Sequence, residues 1–176
     1  GKDLIVTSLS LTAPDNVENL QASGLDAIDL SGNELDNILV GNDANNQLVG
    51  AGGRDTLLGE AGDDLLDGGL GVDALAGGLG NDEYRVDAKA DRVVELAGQG
   101  IETVYATSSY TLASNIENLT LEGEGNFTAG GNSLDNILIG NTGNNILAGG
   151  LGADRLEGGL GDDIYVLSDS LDTIVD

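Results

Sequence analysis

The chain has 176 residues, with 31 acidic side chains against six basic ones for a net charge of −25, 29 glycines, one proline, and no Cys, His, Met or Trp. That charge argues against nucleic acid and anionic membranes, whose phosphates require clustered Lys and Arg. The missing Cys and His exclude disulfide scaffolds, thiolate metal sites, the Ser–His dyad and most zinc or copper centres.

No apolar run approaches the ~18 residues of a membrane helix. Lys2 before the short Leu4-Ile5-Val6 run, with Asp3 beside it, does not make a secretory signal. Strong charge and abundant glycine point towards disorder. Against that, Leu, Ile, Val and Phe supply 50 residues, above the roughly 20% typical of disordered chains. A narrow core is therefore available, provided something neutralises the carboxylates.

In chain order, residues 1–31 carry short strand-like runs such as Ile28-Asp29-Leu30 without a regular glycine phase, and read as irregular β turns. Residues 32–86 hold six nonapeptides that begin at Gly32, Gly41, Gly50, Gly59, Gly68 and Gly77. Their sixth positions are Asn37, Asn46, Asp55, Asp64, Asp73 and Asp82, and their eighth are Leu39, Leu48, Leu57, Leu66, Leu75 and Tyr84. Residues 87–130 return to irregular alternation, with strand-like runs at 102–106, 109–112 and 119–121. They read as further turns of the same solenoid without metal loops, the alternative being a small separate β unit. Asp87 and Asp91 read as a solvated turn, with a roll cap or another ion site as the alternative. Residues 131–167 hold four more nonapeptides, beginning at Gly131, Gly140, Gly149 and Gly158, with Asn136, Asn145, Asp154 and Asp163 at position six. Tyr84 and Tyr165 replace Leu at the last eighth position of each array and are expected to close the core with the hydroxyl reaching solvent. Residues 168–176 begin the next linking segment.

A longer period overlies the short one. Residues 32–42 recur as 131–141, an offset of 99, whereas Gly80-Asn81-Asp82-Glu83-Tyr84 recurs as Gly161-Asp162-Asp163-Ile164-Tyr165 at 81, and Asp91 and Glu95 match Asp172 and Asp176. The first copy thus carries two extra nonapeptides without losing phase, which makes about 18 residues one structural turn.

The last three residues of each nonapeptide form a minimal strand whose middle side chain points inward. The first six form a turn, in which glycine permits positive φ and close backbone approach, so that carbonyls converge. Two nonapeptides close a turn, giving two parallel sheets around the position-eight residues. Turns stack at about 4.8 Å, so one edge carries Asn37, Asp55 and Asp73, the other Asn46, Asp64 and Asp82, and the second copy pairs Asn136 with Asp154 and Asn145 with Asp163. Two carboxylates that far apart repel by roughly 3–4 kcal/mol at an effective dielectric near 20. A cation between them reverses the sign, and an all-oxygen donor set suits Ca²⁺ better than the strictly octahedral Mg²⁺. Counting adjacent pairs gives about six Ca²⁺ sites. Asp55/Asp73 and Asp64/Asp82 supply two carboxylates each, and the Asn-containing pairs have one charge fewer and are weaker. The loop glycines Gly50, Gly52, Gly59, Gly68, Gly71, Gly77, Gly80, Gly149, Gly152, Gly158 and Gly161 belong to the same candidate metal sites. Without metal, the competing reading is a glycine-rich solenoid held by Asx turns alone.

Residues 68–76 and 149–157 resemble the repeats-in-toxin (RTX, hemolysin-type) nonapeptide G-G-x-G-x-D-x-U-x. The likeness covers about half the chain, and residues 32–49 depart from it through Leu35, Asn42, Ala44 and Asn46. The resemblance implies an all-β parallel β-roll or β-helix solenoid with two calcium-loaded rolls joined by irregular β turns. It also implies export of a bacterial protein by a type I system, followed by folding outside the cell, where calcium suits sites of about 10⁻⁴–10⁻³ M. The functional expectation is a non-catalytic calcium-binding structural module, extracellular or at the cell surface, and a monomeric piece of a longer chain. The alternative is a polysaccharide-binding or adhesin module accompanying an extracellular enzyme or surface protein. Neither nucleic acid nor membrane insertion is expected.

Overall fold

The computed structural model describes residues 1–168 and 170–175. Asp176, the counterpart of Glu95, lies outside them. Twenty-two short strands and no helix occur among the described residues. Every paired strand is parallel to its neighbours. Parallel pairing between strands so close in sequence, with no crossover helix, has one solution: a solenoid, in which the chain rises one strand spacing per turn.

One face is a continuous ten-stranded sheet from Leu11–Thr12 to Thr173–Val175, and it passes through Glu83–Val86, Thr103–Ala106, Asn118–Leu121 and Ile137–Ile139. Residues 87–130 therefore continue the ladder as turns of one solenoid. The other face comprises a six-stranded sheet that ends at Arg92–Val93 and a four-stranded sheet that starts at Tyr110–Thr111. The Tyr110 hydroxyl spans that break by donating to the Asp91 carbonyl at 3.2 Å.

The core is a single file of side chains between the faces. The position-eight residues Leu39, Leu48, Leu57, Leu66, Leu75, Tyr84, Leu138, Leu147 and Leu156 are all at most 1% exposed, and Tyr165 packs against them partly buried. Each buried leucine contributes about 1.5–3 kcal/mol. Their neighbours point outward, as a period of two requires, so that Ile38 and Ile137 remain half exposed beside Leu39 and Leu138. In the irregular turns Leu20, Ile28, Leu30, Val104, Ile116, Leu119 and Ala129 fill the same file.

Two details differ from the sequence expectation. Thr56–Ala61 and Ala74–Leu79 are twice the expected strand length, because pairing resumes beyond the position-one glycine with Gly78 opposite Glu60 and Leu79 opposite Ala61. The Tyr84 hydroxyl does not reach solvent. Tyr84 is fully buried, its oxygen accepts the Gly77 N–H at 2.7 Å, and it donates to Glu95 Oε1. Burial, followed by the Glu95 carboxylate, raises the phenol pKa. Tyr165 makes the equivalent bond, accepting the Gly158 N–H at 3.0 Å.

Candidate metal centre

The loops that join the two faces stack into two columns, one along each edge. Along one edge the Asn37 N–H donates to Asp55 Oδ1 and the Asp55 N–H to Asp73 Oδ1, both at 2.7 Å. Along the other, Asn46 donates to Asp64 at 2.7 Å and Asp64 to Asp82 at 2.8 Å. The second copy repeats this, with Asn136 to Asp154 at 2.8 Å and Asn145 to Asp163 at 2.7 Å. All six inter-turn pairs expected from the spacing are brought together, each by one backbone N–H and one carboxylate oxygen.

The second carboxylate oxygen is left over. Oδ2 of Asp55, Asp64, Asp73, Asp82 and Asp163 is buried and has no hydrogen-bond partner among the described residues. A Cβ on Gly50 would collide with Asp55 Oδ2 and with the Gly68 carbonyl oxygen of the next turn, and Gly59 stands likewise against Asp64 Oδ2 and the Gly77 carbonyl. At Gly68, Gly77, Gly149 and Gly158 the collision is with the loop's own Asp. Glycine is therefore required at position one by close approach, and the space it leaves collects oxygen atoms.

Position four needs glycine for its φ as well. Gly71, Gly80, Gly152 and Gly161 have φ between +112° and +152°. In the third and fourth loops that residue is Gly53 (φ +128°) and Gly62 (φ +108°), which the candidate set lacked, whereas Gly52, at position three, faces Glu34 Oε2 instead. Counting along each loop from Gly50 and Gly59 to position four finds both.

Burial shifts the site electrostatics in one direction. Desolvation first, then neighbouring carboxylates, pushes Asp64 up to about 7 and Asp55, Asp73 and Asp82 up to about 6, although the N–H from the preceding turn pulls the other way. These groups are held where a negative charge is costly unless a cation meets it.

The four Asn residues are differently placed. Asn37 Oδ1 accepts the Asn33 N–H at 2.7 Å, and its Nδ2 donates to the carbonyls of Val17 and Glu18. Asn136 does the same with Asn132, Ile116 and Glu117. Asn46 and Asn145 bond to Asn42 and Asn141. Each of the four heads its stack.

Asp91 closes the first edge from the other end. Its Oδ1 accepts the Asp73 N–H at 3.1 Å and its Oδ2 the N–H groups of Asp87 and Ala88, which makes it a roll cap. Asp172 matches it in the second copy, accepting from Asp154 and Ser168.

A second ladder was missed by the sequence reading. At position five, Oδ1 of Asp36, Asn45, Asp63, Asp135 and Asn144 accepts the position-five N–H of the next turn, that of Arg54, Asp63, Asn81, Ala153 and Asp162. Position five clasps upward and position six downward. The recurrence of Asx beside position six, in seven of the ten nonapeptides, was the available signal.

Among the described residues no three carboxylates stand together closely enough to hold an ion. Any metal seat must therefore combine one or two Asp oxygens with backbone carbonyls, or draw further carboxylates in by side-chain rotation. The donors present fit Ca²⁺ on two counts: the buried oxygens left without partners and the oxygen-lined spaces over the position-one glycines.

A family model described as RTX calcium-binding nonapeptide repeat (4 copies) matches residues 31–66, 49–84 and 130–165, together about half the chain. The endo-1,3-1,4-β-glycanase ExsH of Rhizobium meliloti (strain 1021) is 45% identical over 60 residues, 34% of this chain and 13% of that protein. The chain thus matches only a small part of that relative's length.

Proposed function

This chain belongs to the family of RTX calcium-binding nonapeptide repeat proteins, and on that footing we propose that it is a calcium-dependent structural module of a secreted bacterial protein. The observation that carries the reading is the row of buried Oδ2 atoms along both edges, those of Asp55, Asp64, Asp73, Asp82 and Asp163, without a hydrogen-bond partner among the described residues. About six ions are assigned to the pairs Asn37/Asp55, Asp55/Asp73, Asn46/Asp64, Asp64/Asp82, Asn136/Asp154 and Asn145/Asp163, with the loop glycines supplying carbonyls. Calcium, when bound, supplies positive charge and accepts 6–8 oxygen ligands at about 2.3–2.6 Å.

The chain's own residues do the rest. Position-one glycines admit the carboxylate oxygen, position-four glycines turn the loop, and each Asp ties its turn to the previous one. Without the cation those carboxylates repel in a chain of net charge −25, which keeps it extended and soluble. Binding therefore doubles as folding. Low cytosolic calcium leaves the chain open for type I export, and the higher calcium outside closes the stack.

A calcium titration followed by circular dichroism tests this. The expected result is a disordered spectrum in excess chelator and cooperative gain of β structure as calcium approaches the range of about 10⁻⁴–10⁻³ M. A fully ordered β spectrum in chelator would overturn it. The likeness to a glycanase supports a second reading, in which the module accompanies an extracellular enzyme or binds its polysaccharide. Retention of the same samples on immobilised β-glucan only with calcium favours that reading, and equal absence of retention in both states removes it.

A further inference from the structure

The edge column does not stop where the nonapeptides stop. The Thr103 N–H bonds the Asp82 carbonyl, the Asn118 N–H that of Glu102 and the Ile137 N–H that of Glu117, each at 3.0 Å. Glu102 and Glu117 therefore occupy the column between Asp82 and Asn136. The Glu102 N–H donates to Glu117 Oε2 at 2.9 Å, which is the position-six clasp made with a glutamate.

Three carboxylates at this seam are at least nine-tenths buried: Asp82 at 1%, Glu102 at 2% and Glu95 at 6% exposure. Each has one oxygen, Asp82 Oδ2, Glu102 Oε1 and Glu95 Oε2, with no partner among the described residues. A Cβ on Gly100 would collide with both Glu102 Oε1 and the Gly80 carbonyl, so those two oxygens share one small space. Gly77 brings the Glu95 and Asp82 side chains together: its N–H donates to Glu95 Oε1 at 3.2 Å, and its missing Cβ leaves room for Asp82 Oδ2. Neither ion pair found among the described residues, Arg85–Glu122 and Arg155–Glu157, reaches this cluster. The negative charges of Glu95 and Asp82 also act on Glu102, whose pKa burial and Glu117 push up to about 8.

We propose that Glu95 and Glu102, with Asp82 and the Gly80 carbonyl, form a further divalent-cation seat that joins the first roll to the linking turns. Its two glutamates lie outside the nonapeptides. Rotation of the Glu102 side chain towards Asp82 closes the seat, and the Tyr84 hydroxyl, bonded to Glu95 Oε1, leaves Glu95 Oε2 for the cation. The seat makes ordering of the linking turns depend on the same ion as the rolls, and it rests on the reading of the chain as a calcium module.

The test compares calcium stoichiometry, by equilibrium dialysis against calcium, in the wild-type chain and in the E95Q/E102Q variant, with D55N/D73N as a roll-site control. The expected result is one ion fewer in E95Q/E102Q, and the loss of different ions in the control. An unchanged count in E95Q/E102Q overturns the seat while leaving the module reading intact; a wild type that binds no calcium overturns both. Should the double variant fail to fold, anomalous diffraction from wild-type crystals grown with calcium decides. Density bounded by Glu95 and Glu102 supports the seat, and density in the roll loops alone overturns it.

Discussion

Asp55, Asp64, Asp73, Asp82 and Asp163 each hold their two oxygens in opposite circumstances, Oδ1 bonded to the previous turn's N–H and Oδ2 buried without a hydrogen-bond partner among the described residues. In the metal-free fold the balance shifts towards the protonated acid, since Asp64 is pushed up to about 7 and Asp55, Asp73 and Asp82 up to about 6, chiefly by burial. A carboxyl whose folded pKa lies above its ordinary value binds protons more tightly folded than unfolded. Its stabilising contribution is complete below about pH 4 and disappears as pH rises through 6 to 7. Chelated protein is therefore expected to gain ordered β structure on acidification from about pH 8 to about pH 4.5. Calcium affinity should weaken over the same interval, by roughly ten-fold per pH unit below 6 for each proton displaced. Circular dichroism in chelator across pH, with calcium titrations at two pH values, checks both; a chelated chain that loses structure in acid contradicts the assignment.

Within an element, a loop stack needs a head, and asparagine supplies it. Asn37 Nδ2 lies 3.2 Å from the Val17 carbonyl and 3.1 Å from that of Glu18. A carboxylate there would replace two donated bonds by repulsion from two carbonyls. N37D is accordingly expected to lower the stability of the calcium-loaded protein by about 2–4 kcal/mol, read from thermal unfolding at saturating calcium. Undiminished stability of N37D would show that the amide bonds to Val17 and Glu18 do not hold the head of the stack. The distribution of Asn and Asp along each column was legible in the sequence, since Asn opens each array and Asp follows. Its partners were not, because Val17 and Ile116 belong to turns of irregular length whose carbonyls only the fold brings under the amide. Tyr84 follows the same division: its place in the core came from position eight, but the buried acceptor Glu95 belongs to a loop with no repeat phase.

Across the molecule the relevant number is the offset of 99 between copies, which is eleven nonapeptides, or five and a half turns. The second copy therefore starts on the opposite face, Asn19 pairing within the six-stranded sheet and Asn118 within the ten-stranded one. Asn136 and Asp154 consequently share an edge with Asp64 and Asp82, with Glu102 and Glu117 between them. A molecule of this kind is quasi-one-dimensional, each turn touching only its neighbours. Removal of residues 50–67, one full turn, should preserve the fold, with Asn37 then facing Asp73 and Asn46 facing Asp82. The expected outcome is a β spectrum unchanged per residue, about two fewer bound calcium ions and a lower unfolding midpoint. A chain that aggregates in saturating calcium would show that the turns are not interchangeable.

Phase within a short repeat was enough to settle the two-nonapeptide turn, the inward leucines, most of the loop glycines and the six stacked pairs. It could not settle that residues 87–130 continue the ladder, or that a glutamate column bridges the arrays; those came from strand pairing in the folded chain. Glu83 pairs with Thr103, Thr103 with Asn118 and Asn118 with Ile137, so the turns there run longer, then shorter, then longer again than the regular one. Loop length costs little free energy to vary, whereas a slip of one residue in strand register turns the buried side chains outward. Pairing and burial held the register through the linking turns, where the sequence spacing varied.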